Sequence, residues 1–147
     1  MKTLIFILLF VPLALFGQKN TISLVYQPVD AGVGIRYDRE INRFGIYTTI
    51  SHGEYRLGEG LKVKNHVKIA VGGLIYIPST YLDNVTHYYS IGLTHHSYGE
   101  KTADLPEKVY YPYSIDLCAG VQLRRISVGF GADFIKREGT VNMGFMF

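Results

Sequence analysis

The sequence predicts an all-β protein, a closed antiparallel eight-stranded transmembrane β-barrel, and three observations carry that prediction. The first is strict alternation over the last third of the chain. Its apolar series runs Tyr113, Ile115, Leu117, Ala119, Val121, Leu123, then Ile126, Val128, Phe130, Ala132, Phe134, and closes with Val141, Met143, Phe145 and Phe147. Successive side chains of a strand point to opposite faces, and a helix does not produce a period of two. The second is the face that alternates with it. Between Pro112 and Met146 its only charged residues are Asp116 and Asp133, and Gly120, Gly129, Gly131 and Gly144 share it. A water-facing surface carries roughly a quarter to a third charged residues, so this is a poor exterior and a suitable filling for a narrow bore. The third is length. The chain has 147 residues, and eight membrane strands of roughly 9–11 residues fit one domain with room for their connections.

In chain order, residues 1–17 read as a signal peptide. Lys2 supplies the positive start, Leu4–Phe16 the apolar core, and Gly17 a small residue at the cleavage point before Gln18. That core falls short of the roughly 17–25 residues a spanning helix needs, so 18–147 is expected to form the barrel. Export without an anchor helix, followed by alternating strands, points to the outer membrane of a Gram-negative cell.

The first strand is predicted over 21–27, with Ile22, Leu24 and Tyr26 on one face, and Pro28 ends it because proline cannot donate to a ladder. The second is predicted from Val29 to Tyr37, with Val29, Ala31, Val33, Ile35 and Tyr37 outward. Asp30, Gly32, Gly34, Arg36 and Asp38 then face inward. A turn around Glu40 and Asn42 leads to a third strand over 44–51. The Gly- and charge-rich stretch 52–65 reads as a loop. A fourth strand is expected over 66–77, with Val67, Ile69, Val71 and Ile75 outward and Lys68, Ala70 and Gly72 inward. A turn over 78–84, a fifth strand over 85–96 and a second polar loop over 97–108 follow. A sixth strand begins near Val109. Arg124-Arg125 is a two-residue turn, and 136–139 a short hairpin before the last strand. Seven strands would leave an open edge, and unsatisfied backbone groups in hydrocarbon cost several kcal/mol each; eight is therefore favoured. Both long loops fall at one end, as expected when short turns face the periplasm and long loops face outward. Tyr110, Tyr111 and Tyr113 would then sit at the outer rim, ring in lipid and hydroxyl among headgroups.

Composition narrows the function. The formal charge of +3, with no basic run, does not suggest nucleic acid. The single cysteine, Cys118, has no internal disulfide partner and reads as a small buried filler. His87 and His95 face the same way eight residues apart, His96 faces the other way, and no metal-ligand spacing results. No nucleotide loop appears and no cofactor is implied. The inward ions Asp30, Arg36, Asp38, Lys68, Asp116 and Asp133 must pair in a poorly hydrated bore, so an ion-pair plug is expected. A narrow small-solute channel is the sharper alternative. Arg56, Lys62 and Lys64, with Lys101 and Lys108, could meet lipopolysaccharide phosphates from the outer loops.

This architecture, ending in Val141-Asn142-Met143-Gly144-Phe145-Met146-Phe147, resembles the small eight-stranded outer-membrane proteins of the OmpA/OmpX type. The resemblance covers nearly all of the chain after its leader. It implies that the alternating Val141, Met143, Phe145 and Phe147 are read by the barrel assembly machinery. The function expected of such a plugged barrel is a non-enzymatic structural or interaction role, through external loops or within an outer-membrane complex. A second, local resemblance is that of His95-His96-Ser97 to the His-x-Ser of the lipid A deacylase family, also eight-stranded barrels. It implies Ser97 as nucleophile and His95 as general base. Tyr98 stands where that family has asparagine, Glu107 is the nearest substitute for its acid, and three strands follow where the family has one.

Overall fold

The computed structural model describes residues 19–29, 31–57, 61–98 and 112–147, with the backbone alone for 55–57 and 61–64. Eight strands follow one another: β1 Asn20–Gln27, β2 Gly32–Ile41, β3 Phe44–Leu57, β4 Leu61–Pro78, β5 Val85–Tyr98, β6 Tyr113–Leu123, β7 Ile126–Asp133 and β8 Glu138–Met146. Each pairs antiparallel with the next, and β8 returns to β1 from Thr21↔Met146 to Tyr26↔Val141. The sheet is therefore a closed barrel with every ladder partnered.

The alternation sorts residues inside out compared with a water-soluble protein. Leu24, Leu93, Phe130 and Met143 are 69%, 70%, 66% and 62% exposed, while Arg36, Lys68 and Asp133 are 2%, 2% and 0% exposed. A monomer in water rarely exposes contiguous apolar patches beyond a few hundred Å²; here apolar side chains clothe the outside of all eight strands. The buried apolar residues are few, and Tyr47, Ala70, Leu74, Tyr76, Tyr88 and Cys118 form one cluster in the bore.

Four boundaries differ from the sequence reading. Gln27 pairs with Gly32, so 28–31 is a connection, and Val29 and Ala31 lie in it rather than in β2. Ala31 takes a left-handed φ of 48°, which a ladder cannot use. The expected loop over 52–65 is instead a long hairpin. β3 continues to Leu57, β4 starts at Leu61 and spans 18 residues, and Arg56 pairs with Lys62. Its alternation was hidden by a bulge. The register steps from Gly53↔His66 to Tyr55↔Val63, so β4 carries one extra residue beside Asn65, whose φ is 56°. A bulge resets which parity faces inward. Ser97, expected to open a loop, belongs to β5. The hairpin before the last strand lies over 134–137, and β8 begins at Glu138. The predicted sixth-strand start near Val109 and the loop of 99–108 lie outside the described residues, where β6 is first seen at Tyr113.

The two-residue turns both lie at one end. Asn42-Arg43 and Arg124-Arg125 join their strands with two residues, and Asn42 and Arg124 have φ of 60° and 54°. Two-residue hairpin loops need a positive φ at their first position to match strand twist. Between β4 and β5, the Ser79 Oγ accepts from the Tyr81 and Leu82 amides at 3.3 and 3.2 Å, which ties the six-residue turn at the same end.

Candidate functional site

The bore of the barrel holds two linked polar clusters. The one nearer the long-hairpin end is built on β4, β5, β6 and β7. Even positions of β4 and β5 face inward, which brings His66, Lys68 and His96 together. Ser114 and Asp116 arrive from the even positions of β6, and Asp133 from β7, whose odd positions face inward. The His66 Nε2 lies 2.8 Å from His96 Nδ1, and His96 Nε2 lies 2.7 Å from Ser114 Oγ and 3.0 Å from Asp133 Oδ2. Ser114 donates to the same Asp133 oxygen at 2.6 Å. Neutral histidines carrying their proton on Nε2 satisfy this chain: His66 donates to His96, and His96 donates to the serine–aspartate pair. Asp133 also accepts from the Lys136 amide at 3.0 Å and faces Lys68 Nζ at 3.4 Å. The rings of His66 and Tyr98 stack 4.9 Å apart with an interplanar angle of 7°.

Serine, histidine and aspartate meet here, but not as a catalytic triad. In a triad the serine and the acid bind opposite ring nitrogens, so that the base can take one proton while the acid orients it. Here both bind Nε2, the serine proton already points at the carboxylate, and Ser114 is 2% exposed. The group is a fully engaged hydrogen-bond knot.

The second cluster fills the middle. Arg36 Nε donates to Asp38 Oδ1 at 2.7 Å and its terminal amine to Ser90 Oγ at 3.2 Å. Its guanidinium lies over the Tyr47 ring, 4.1 Å from the centroid, a contact that compensates desolvation. The Tyr47 hydroxyl donates to Asp116 at 3.1 Å, and the Tyr88 hydroxyl to Asn142 Oδ1 at 2.8 Å. Asn142 in turn donates to Cys118 Sγ at 3.3 Å. Lys68 bridges the clusters, 3.7 Å from Asp116 and 3.4 Å from Asp133. Between Lys68, Arg36, Thr49, Asp116, Thr140 and Asn142 remains a cavity of about 10 Å³, room for one water molecule.

Glycine makes the tyrosines fit. A Cβ at Gly72 or Gly92 would overlap Tyr47, and one at Gly120 or Gly129 would overlap the Tyr88 hydroxyl, inside the 3.0 Å that real Cβ atoms respect. Each large ring thus lies in a trough left by two bare backbones on neighbouring strands.

No family model and no curated protein matches the sequence. Solved structures do match the fold. The outer membrane protein Ail of Yersinia pestis, in a phospholipid bilayer nanodisc, superposes with a TM-score of 0.53 at 14% identity, over 88% of this chain and 99% of that one. The N-terminal β-barrel domain of Pseudomonas aeruginosa OprF gives the same score and identity, over 88% of this chain and 96% of that one. This chain has the fold of the small eight-stranded outer-membrane barrels.

Within that outer-membrane-type barrel, Arg36, Asp38, Lys68, Asp116 and Asp133 meet in the bore, and Asp30 lies outside the described residues. His95 and Ser97 lie side by side on the outer face of β5, opposite Ile69 and Val67 of β4. The His95 ring leans on Tyr113 at 5.3 Å, and Glu107 lies outside the described residues. Arg56 and Lys62 pair across the long hairpin, with Lys64 beside the bulge in β4; Lys101 and Lys108 lie outside the described residues. Val141, Met143 and Phe145 line the outer face of β8, with Phe147 just past its end. Among the described residues, no group of three metal-ligating side chains converges. Sequence reasoning passed over His66, Ser114, Tyr47 and Tyr88. Strand parity puts all four inward, and the inward glycines on neighbouring strands are the signal that large rings fill the space.

Proposed function

We propose that the protein is an integral outer-membrane barrel with a structural or interaction role, residues 1–17 being its export signal. Its bore is a plug, and its working surfaces are the outer face and the connections at its two ends. The observation that carries this reading is the inverted sorting of side chains: every strand turns apolar residues outward while ions and hydroxyls interlock inside. By this reading the end with the two-residue turns faces the periplasm, and the long β3–β4 hairpin rises from the cell surface. Its basic residues Arg56, Lys62 and Lys64 would meet lipopolysaccharide phosphates, and the β8 face of Val141, Met143, Phe145 and Phe147 would be read by the assembly machinery.

Non-enzymatic action is part of the proposal. His95 and Ser97 lack a described acid, and the Ser114–His96–Asp133 knot is sealed. The test is fractionation of producing cells, followed by mass spectrometry of their lipid A with wild type and Ser97→Ala. The barrel should enter the outer membrane and leave lipid A acylation unchanged in both. Recovery in the soluble fraction would overturn the localisation, and acyl loss with wild type alone would overturn the non-enzymatic role. Planar bilayers provide a further check: steady conductance of porin size would contradict the plug.

A further inference from the structure

We propose that the rim of the barrel bearing the two-residue turns is a binding surface for anionic phospholipid headgroups of the adjoining leaflet. This deepens the membrane reading above and rests on it.

The net charge of the barrel is concentrated at one end. In sequence, the segments between alternate strands, Asp30 with 54–64, 100–108 and 136–137, carry six acidic and seven basic residues and nearly cancel. The bore is acidic by two, with Arg36 and Lys68 against Asp38, Asp116, Asp133 and Glu138. The opposite rim holds Lys19, Arg39, Arg43, Arg124 and Arg125 against only Glu40 and Asp83. The positive excess of the chain after residue 17 therefore sits there.

These cations stand at the edge of the apolar band, where a bilayer has its phosphates. Arg43 is followed by Phe44, 66% exposed, and stands two residues beyond outward Ile41. Arg124 and Arg125 lie between outward Leu123 and Ile126, 51% and 55% exposed. From the third turn Tyr81 and Leu82 project, 95% and 61% exposed, a ring and an aliphatic chain suited to the interfacial layer. The guanidinium groups are thus one residue from hydrocarbon-facing side chains, and an arginine there can keep its stem in the apolar layer and its head among phosphates.

The turns that present them are fixed. The Tyr76 amide donates to the Arg43 carbonyl at 2.8 Å, the Met146 amide to the Arg125 carbonyl at 2.8 Å, and the Arg124 amide to the Asn84 carbonyl at 3.3 Å. A bilayer surface is favoured over a folded acidic partner because the cations are spread around a rim, on two turns separated by a third, rather than gathered on one patch. A basic residue near an anionic surface contributes roughly a fivefold preference under low screening.

The test uses the full barrel in nanodiscs of zwitterionic phosphatidylcholine containing a minority of phosphatidylglycerol, with native mass spectrometry of retained lipids. Wild type should retain phosphatidylglycerol several-fold above its bulk fraction, and rising salt should erode that enrichment. Arg43→Gln with Arg124→Gln and Arg125→Gln should abolish it, whereas Arg137→Gln at the other end should not. Each single Gln variant should give a partial loss, which keeps the proposal testable should the triple variant misfold. No enrichment with wild type, or full enrichment in the rim variants, would overturn it. A barrel that enters membranes without lipid preference would refute this inference alone; one that does not enter them would refute the membrane reading beneath it. Wild-type enrichment of an added acidic peptide instead of the lipid would assign the rim to a protein partner and overturn the proposal.

Discussion

Asp133 is the knot of the bore, and removing its carboxylate tests whether the interior is held by mutual pairing. It is fully buried and receives Ser114, His96 and the Lys136 amide at 2.6, 3.0 and 3.0 Å, with Lys68 Nζ at 3.4 Å. In Asp133→Ala, Ser114 and His96 keep each other, but the Lys136 amide loses its acceptor. Lys68, 2% exposed, retains Asp116 at 3.7 Å as its one carboxylate among the described residues. Stranding one member of a buried ion pair costs about 3–5 kcal/mol, and the unsatisfied amide adds about 1 kcal/mol. Lys68→Met is expected to cost less, because Asp133 keeps three donors. The double variant removes both charges and should recover about 2 kcal/mol relative to the sum of the singles. The assay is reversible urea unfolding of the barrel in lipid bilayers, followed by far-ultraviolet circular dichroism, since the chain has no tryptophan. A cost under about 1 kcal/mol for Asp133→Ala, or strict additivity of the pair, would refute the argument.

Other perturbations probe other layers. Phe130→Arg, at a 66% exposed site of β7, should cost about 2–4 kcal/mol in a bilayer; a change within about 0.5 kcal/mol in the same unfolding assay would mean that this face is not in hydrocarbon. Gly120→Ala drives a methyl into Tyr88 and should destabilise by about 1–3 kcal/mol. Tyr88→Leu in the same chain should restore much of that loss, read as recovery of the heat-modifiable band on gels. Arg137→Gly should raise stability by up to about 1 kcal/mol, because the φ of 56° at this turn strains any residue with a Cβ. A lower urea midpoint for Arg137→Gly would contradict that reasoning.

The barrel was legible because lipid on one side and a narrow bore on the other force opposite chemistry onto alternate residues. From Tyr113 to Phe147 that contrast is unbroken, and the inward placement of Arg36, Lys68, Asp116 and Asp133 follows from parity alone. Where the strands run past the apolar band, the constraint lapses. Residues 52–65 carry glycine and charge, and the extra residue beside Asn65 reverses the parity, so a paired hairpin looked like a loop. Partnerships inside the bore were less legible still. Parity says that His66 and His96 both face inward, but only the β4–β5 register, His66↔Tyr98 and Lys68↔His96, says that they touch. The equality of Ser114 and Asp133 at a single nitrogen, which separates a knot from a triad, is a matter of angles that no spacing encodes.

The glycine troughs carry an evolutionary consequence. Tyr47 and Tyr88 stopper the tube by standing over Gly72, Gly92, Gly120 and Gly129, and those bare backbones need not change for the stopper to be withdrawn. Shortening two side chains would leave smooth walls where the rings had been, widening the middle of the tube while the histidine–aspartate knot still closes one end. The width of the bore, in such a lineage, can be reset without redrawing a single strand.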